Sequence, residues 1–194
     1  MNEQILNRKT NRREVLRYSG LGILGGAAVH ALTPGPARAE EGEAIGVSYA
    51  SWIHGNSMQI EYPDRLVRLE HNGWGTFVEG MPGTVNWFHF AIPTPVIIND
   101  VRLRAHSILL SFASGSADAF VRDVHVWDGG TRIAVLDEVY LAPGSPSGRL
   151  ILPDTPTMGF GLGIALGVGF GVEPVDHSMT FHAAGCDFVA PSVE

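Results

Sequence analysis

The stretch MGFGLGIALGVGFGV, residues 158–172, constrains the fold more than any other part of this 194-residue chain. Glycine or alanine occupies every odd position from Gly159 to Gly171, and a large apolar residue occupies every even one. Successive side chains of a β-strand point to opposite faces of its sheet, and so frequent a glycine disfavours a helix. The alternation therefore predicts a strand with one bare face and one buried apolar face. The apolar residues are Phe160, Leu162, Ile164, Leu166, Val168, Phe170 and Val172.

The bare face of this segment should be closely covered. Each glycine weakens a strand by roughly 0.5–1 kcal/mol relative to alanine, so a neighbour is expected to approach the backbone and offset the loss. Aromatic side chains of adjacent strands are one candidate cover, and a bound ligand or partner subunit is the other. The chain has four tryptophans that could serve, Trp52, Trp74, Trp87 and Trp127.

The chain after residue 44 has the pattern of an all-β protein. Short runs rich in Val, Ile, Phe and Trp alternate with Gly, Pro, Asn and Asp, and no long run has helical periodicity. Asn72-Gly73 and Asp128-Gly129-Gly130 are hairpin turn signals. About nine strands at this spacing predict an antiparallel β-sandwich, jelly-roll-like or immunoglobulin-like. The single cysteine, Cys186, excludes an intrachain disulfide and is expected to be buried in the last strand.

The first 39 residues have the pattern of a cleaved export signal. A basic region, TNRREVLRYSG, precedes the weakly apolar LGILGGAAVHAL and a Pro-Gly-Pro break, and the small residues of ARA predict cleavage after Ala39. The pair Arg12-Arg13, followed by apolar residues and Arg17, resembles a twin-arginine signal, although Asn11 departs from the usual Ser or Thr. That resemblance implies the twin-arginine export machinery as a partner and a folded protein delivered to the periplasm or beyond the cell. The apolar run is too short to span a bilayer stably.

The predicted organisation is a signal over residues 1–39, a linker over 40–44 and a single β-sandwich domain over 45–190. From Glu40 onward the chain has seven arginines and eighteen acidic residues, a net formal charge of −11. Nucleic acids and anionic membranes require a basic surface, so neither is an expected partner.

Two segments place a histidine two residues after a tryptophan on the same strand face, Trp52 with His54 and Trp87 with His89. A Trp–His surface can stack a sugar ring or another planar ligand. These four residues are the predicted ligand site, and the ligand is left open as a small molecule, a glycan or a protein. No nucleophile elbow or dinucleotide loop is present, so the chain is predicted to be a non-catalytic binding or assembly module.

The alternative function is a histidine-ligated metalloprotein or metalloenzyme, loaded before export. Seven histidines follow Ala39, and the first five recur at intervals of 17 to 19 residues, about one per strand. A β-sandwich can bring histidines of separate strands around a transition metal such as Zn, Cu or Fe. The predicted ligands in that case are His54, His89, His106 and His125.

Three stretches together resemble a family of small bacterial all-β proteins without an assigned activity. They are WIHGNSMQIEYPDRL, GWGTFVEGMPGTVNWFHFAIPTPVIIND and DAFVRDVHVWDG, and the similarity extends over most of residues 51–187. The resemblance implies a single compact domain and carries over no catalytic residues.

Overall fold

Thirteen β-strands and two short 3-10 helices form the part of the chain that the computed structural model describes, residues 46–143 and 148–191. The strands are β1 (Val47–His54), β2 (Gln59–Ile60), β3 (Leu66–Asn72), β4 (Gly75–Gly80), β5 (Thr84–Ile92), β6 (Ile97–Ile98), β7 (Val101–Arg102), β8 (Arg104–Ser114), β9 (Ala119–Asp128), β10 (Thr131–Leu136), β11 (Arg149–Ile151), β12 (Leu162–Phe170) and β13 (Ser178–Val189). The 3-10 helices are Gly55–Ser57 and Pro63–Arg65. Nine strands have six or more residues, as predicted, and the other four are only two or three residues long.

The strands form two main antiparallel sheets, which confirms the predicted all-β sandwich. In the six-stranded sheet the order is β11-β8-β13-β4-β3, and β1 also pairs with β13. The five-stranded sheet has the order β10-β9-β12-β5-β2, and β6 pairs with β7 separately. Both predicted turns are confirmed, because Asn72-Gly73 joins β3 to β4 and Asp128-Gly129-Gly130 joins β9 to β10.

The core lies between the two sheets and is built largely from phenylalanine and branched aliphatic residues. Phe88 and Phe90 of β5 contact Phe181 of β13 across the sandwich, with ring centroids 4.8 and 5.9 Å apart. Burial of a side chain of this size contributes about 1.5–3 kcal/mol. Cys186 is a free thiol buried in β13, as predicted, and burial raises its pKa to about 12.

The glycine-alternating segment forms the central strand of the five-stranded sheet, but over a shorter range than predicted. Its five central apolar side chains are buried, namely Leu162, Ile164, Leu166, Val168 and Phe170. The prediction was wrong at both ends, where Phe160 is 82% exposed and Val172 is 76% exposed.

Hydrogen bonds to two aspartates, Asp128 and Asp118, explain why the strand stops at each end. Asp128 accepts hydrogen bonds from the backbone N–H groups of residues 159–161 at 2.6 to 2.9 Å, so this segment folds onto the β9–β10 turn. At the other end, the N–H of Gly171 donates to the carbonyl of Asp118 at 2.7 Å, and Asp118 Oδ2 accepts from the N–H of Glu173. A Cβ at residue 171 would overlap the Asp118 carboxylate, so glycine there leaves that carboxylate in its hydrogen-bonded position.

The predicted export signal, including Arg12, Arg13 and the cleavage point after Ala39, lies outside the described residues. Across the ranges 46–143 and 148–191, the structure contains no helix with the length and apolarity needed to cross a bilayer.

Candidate binding groove

The outer face of β12 forms a nearly bare strip along the centre of the five-stranded sheet. Aromatic side chains of the neighbouring strands cover part of it, which is one of the two covers that the sequence left open. A Cβ placed on Gly163 would lie 3.7 Å from Trp127 Cβ, and one on Gly167 would lie 3.1 Å from Trp87 Cη2. On Gly169 it would lie 2.9 Å from Phe120 Cζ. The glycines therefore allow indole and phenyl rings to lie directly against the backbone.

Strands β5 and β9 form the two sides of a trough above this strip. His89 of β5 and His125 of β9 both lie in register with Ala165 of β12, so their side chains share its outer face. Two strand spacings separate β5 from β9, about 9.5 Å between backbones, which is wide enough to admit one six-membered ring. One residue pair further along, Ala91 and Trp127 flank Gly163 in the same way.

Trp87 closes one end of the trough. Its indole extends from β5 across Gly167 and stacks against His125 of β9, with ring centroids 4.7 Å apart. The resulting cavity, called the binding groove below, has a volume of about 550 Å³. It is lined by Glu61, Trp87, His89, Phe90, Ala91, His125, Trp127, Gly163, Ile164 and Ala165.

Carboxylates stand beside both histidines of the groove. Glu61 is held near β5 by its own N–H, which donates to the Trp87 carbonyl at 3.0 Å. Its Oε2 lies 3.0 Å from His89 Nε2, and on the opposite side Asp137 Oδ1 lies 3.1 Å from His125 Nε2. A hydrogen bond from the Tyr62 side chain, together with His89, lowers the pKa of Glu61. An ionised carboxylate only accepts, so His89 donates from Nε2 to Glu61 at neutral pH.

The groove thus combines apolar and polar surfaces in a defined arrangement. Its floor is backbone and a methyl group, two indoles bound it, and polar side chains stand at its sides. Such a surface fits a ligand with an apolar ring face and a polar edge, since the ring can pack on the indoles while the edge forms hydrogen bonds.

The structure separates the two predicted Trp–His pairs. Trp87 and His89 line the groove, whereas Trp52 and His54 lie on β1 in the six-stranded sheet. Trp52 lies over Gly185 of β13 and is 49% exposed, and His54 Nδ1 accepts from the N–H of Asn56. The two pairs therefore cannot form one continuous surface, and the role of each in binding stays a prediction.

The predicted ligand site omits Glu61, His125 and Trp127, which line the groove, and Asp137 lies just outside the groove as the partner of His125. The sequence pattern predicts Trp127 only as a cover for the glycines and His125 only as a metal ligand. The Asp128-Gly129-Gly130 turn fixes the alternation of β9 and so places Trp127 and His125 on one face, which the sequence alone could have indicated. The position of Asp137 beside His125 depends on the path of the chain after β10, and no residue pattern in the sequence predicts that path.

The four histidines proposed as metal ligands are not brought together. His54 lies on β1, His89 on β5, His125 on β9, and His106 is buried on β8 of the other sheet. Only His89 and His125 share a cavity, on opposite sides of β12. Within the described ranges, no three His, Cys, Asp or Glu side chains are grouped as metal ligands, so the metalloprotein alternative gains no support.

Comparisons with known proteins give a family and distant structural similarities. No curated protein matches the chain. Among solved structures, an exo-β-1,3-galactanase from Phanerochaete chrysosporium, crystallised with galactose, is similar with 12% identity and a TM-score of 0.36. The similarity covers 71% of this chain but only 29% of the galactanase chain. The model of a family of unknown function, DUF6623, matches residues 47–189, and the chain belongs to that family.

Proposed function

We propose that the protein is an exported, non-catalytic binding module that holds a glycan in the groove above β12. The observation that carries this proposal is the bare strip itself, bounded by Trp87 and Trp127. A pyranose ring has an apolar C–H face and a rim of hydroxyl groups. This combination matches a trough with indole rings on its boundary and carboxylate and imidazole groups at its sides.

The dimensions and polarity of the groove support a ring-shaped ligand. Its volume of about 550 Å³ falls within the range of 300–1,000 Å³ common for small-molecule sites. Glu61 provides an acceptor for hydroxyl groups on the β5 side of the trough, and His89 orients it. His125 provides a polar group on the β9 side, so a ring between them can be contacted on both edges.

The export part of the proposal rests on the amino-terminal pattern. In this proposal, residues 1–39 form a twin-arginine signal with Arg12 and Arg13, and cleavage after Ala39 releases the β-sandwich into the periplasm or the medium. Folding before export suits a chain whose one thiol is buried and which has no disulfide to form after translocation.

The test is glycan-array binding followed by isothermal titration calorimetry with the best-bound glycan. Trp127→Ala should weaken binding roughly 5- to 150-fold, because loss of an aromatic stacking contact costs about 1–3 kcal/mol. Trp52→Ala is the matched control, since it removes an exposed indole from the other sheet. Thermal melts of both variants check that the sandwich remains folded.

Three results would refute the groove as the glycan site. The first is an array on which the wild-type protein retains no glycan. The second is equal weakening by Trp52→Ala and Trp127→Ala, and the third is unchanged affinity in a folded Trp127→Ala variant. A protein captured in place of a glycan would instead identify the chain as an assembly module.

A further inference from the structure

A second cavity adjoins the binding groove on the β9–β10 side of the sheet. Its volume is about 380 Å³, and it shares Trp87 and His125 with the groove. The stacked pair of these two side chains therefore stands at the junction of the two cavities. The other residues that line the second cavity are Arg122, Asp123, Arg132, Val135, Asp137 and Glu138.

The second cavity is held in shape by polar contacts. Asp123 is buried, and its Oδ2 accepts from Arg122 Nε at 2.8 Å while its Oδ1 accepts from the N–H of Glu138 at 3.2 Å. Glu138 has a φ of 56°, in the left-handed region that non-glycine residues rarely adopt. The hydrogen bond from its N–H to Asp123 Oδ1 helps to fix this conformation. Arg132 links the two cavities, because its guanidinium lies over the Trp127 ring, 5.9 Å from the centroid.

The charges around the two cavities favour an uncharged or cationic ligand. Four carboxylates, those of Glu61, Asp123, Asp137 and Glu138, line the combined surface, against the two arginines Arg122 and Arg132. The predicted mature chain has a net formal charge of −11, so the long-range field also repels anions. A ligand with carboxylate or sulfate groups would oppose both effects.

We infer that the groove and the second cavity are adjacent subsites for a glycan of at least two sugar units that carries no acidic group. This inference rests on the proposed function and adds the length and the charge class of the ligand. The first unit packs in the apolar groove between the indoles, the linkage crosses over the outer edges of Trp87 and His125, and the second unit meets the polar side chains near β10.

The experiment uses an array of neutral, amino, uronate-bearing and sulfated glycans of one to four units. Retained glycans should be neutral or amino forms of two or more units. Titration with the best-bound glycan and its monosaccharide should show roughly tenfold tighter binding of the longer form, as expected for one or two additional hydrogen bonds.

Val135→Tyr tests the second subsite separately. Val135 is exposed on β10, opposite His125, so a tyrosine there fills the second cavity without entering the core. It should remove the tenfold advantage of the longer glycan and leave the monosaccharide affinity unchanged. Val67→Tyr, at an exposed position of β3 in the other sheet, is the control and should change neither.

The possible outcomes separate this inference from the proposed function. Equal affinity for one and two sugar units, or no effect of Val135→Tyr on the longer glycan, overturns the second subsite while glycan binding stands. Preference for uronate-bearing or sulfated glycans overturns the charge class alone. If no glycan of any class is retained, the proposed function fails and this inference fails with it.

Discussion

Replacement of Gly163 by alanine should make the protein more stable. The backbone at residue 163 does not have a positive φ, and an added Cβ would meet only Trp127 Cβ at 3.7 Å, an ordinary van der Waals distance. Alanine also restricts the unfolded chain more than glycine does. The expected gain is about 0.4–1 kcal/mol in the free energy of unfolding, because no strain opposes it. For a protein of this size that gain raises Tm by roughly 1–4 °C.

Urea denaturation and thermal melts measure the effect, and Gly55→Ala is the control. A Cβ on Gly55 would overlap the backbone carbonyl of Phe181, which cannot move without disrupting β13. Overpacking of this kind costs typically about 1–3 kcal/mol, so the control should be destabilised. A Gly163→Ala variant less stable than wild type would refute the inferred packing of Trp127 on β12. The same methyl group lies on the groove floor, so glycan affinity should fall even as stability rises.

Two further predictions concern the Asp128 carboxylate, which binds the backbone just before β12, and the Arg12-Arg13 pair of the predicted export signal. Asp128→Asn should lower stability at pH 7 by about 1.5–3 kcal/mol, since the carboxylate accepts three backbone hydrogen bonds. Burial alone would raise the pKa of Asp128, but the N–H groups of residues 159–161 outweigh it and the net shift is downward. The stabilisation is therefore fully present above the ordinary value of 3.8 and is lost as pH falls through the lower folded pKa. Urea titrations at pH 7 and pH 3 should show the difference between variant and wild type shrink at pH 3, and an equal difference at both would contradict this. Separately, Arg12→Lys with Arg13→Lys should leave uncleaved precursor in the cytoplasm, detected by cell fractionation, whereas undiminished export would rule out the twin-arginine route.

The fold was predictable from the sequence, because the alternation of apolar and small or polar residues marks the strands and the turn residues mark where they end. The buried face of β12 follows directly from the period of two, and the Asp128-Gly129-Gly130 turn fixes the β9–β10 hairpin. The ends of β12 were not predictable, because they depend on hydrogen bonds to Asp118 and Asp128, which lie 31 to 55 residues away in the sequence. The local alternation of glycine and apolar residues predicts that β12 includes Phe160 and Val172, but these tertiary hydrogen bonds make the strand shorter at both ends.

The candidate site was predictable only in part, for a similar reason. The Trp87–His89 pair is visible as a local motif, and so is the equivalent pair on β1. Which pair lies beside the glycine strip depends on strand order, and non-local pairing leaves no trace in a single sequence. The pairing of β5 and β9 with β12 selects Trp87, and it adds Trp127 from a strand that the Trp–His motif does not mark.

The floor of the groove is largely main chain, and this has a consequence for how its selectivity can change. A backbone surface offers the same contact whatever the neighbouring side chains are, so discrimination between ligands resides in the side chains that β5, β9 and the segment after β10 contribute. Among these side chains, those of Glu61, His89 and Asp137 are 38% to 57% exposed and lie outside the core. In the proposed glycan site, exchange of these three residues should therefore change selectivity at small cost in stability, while the glycine strip is retained.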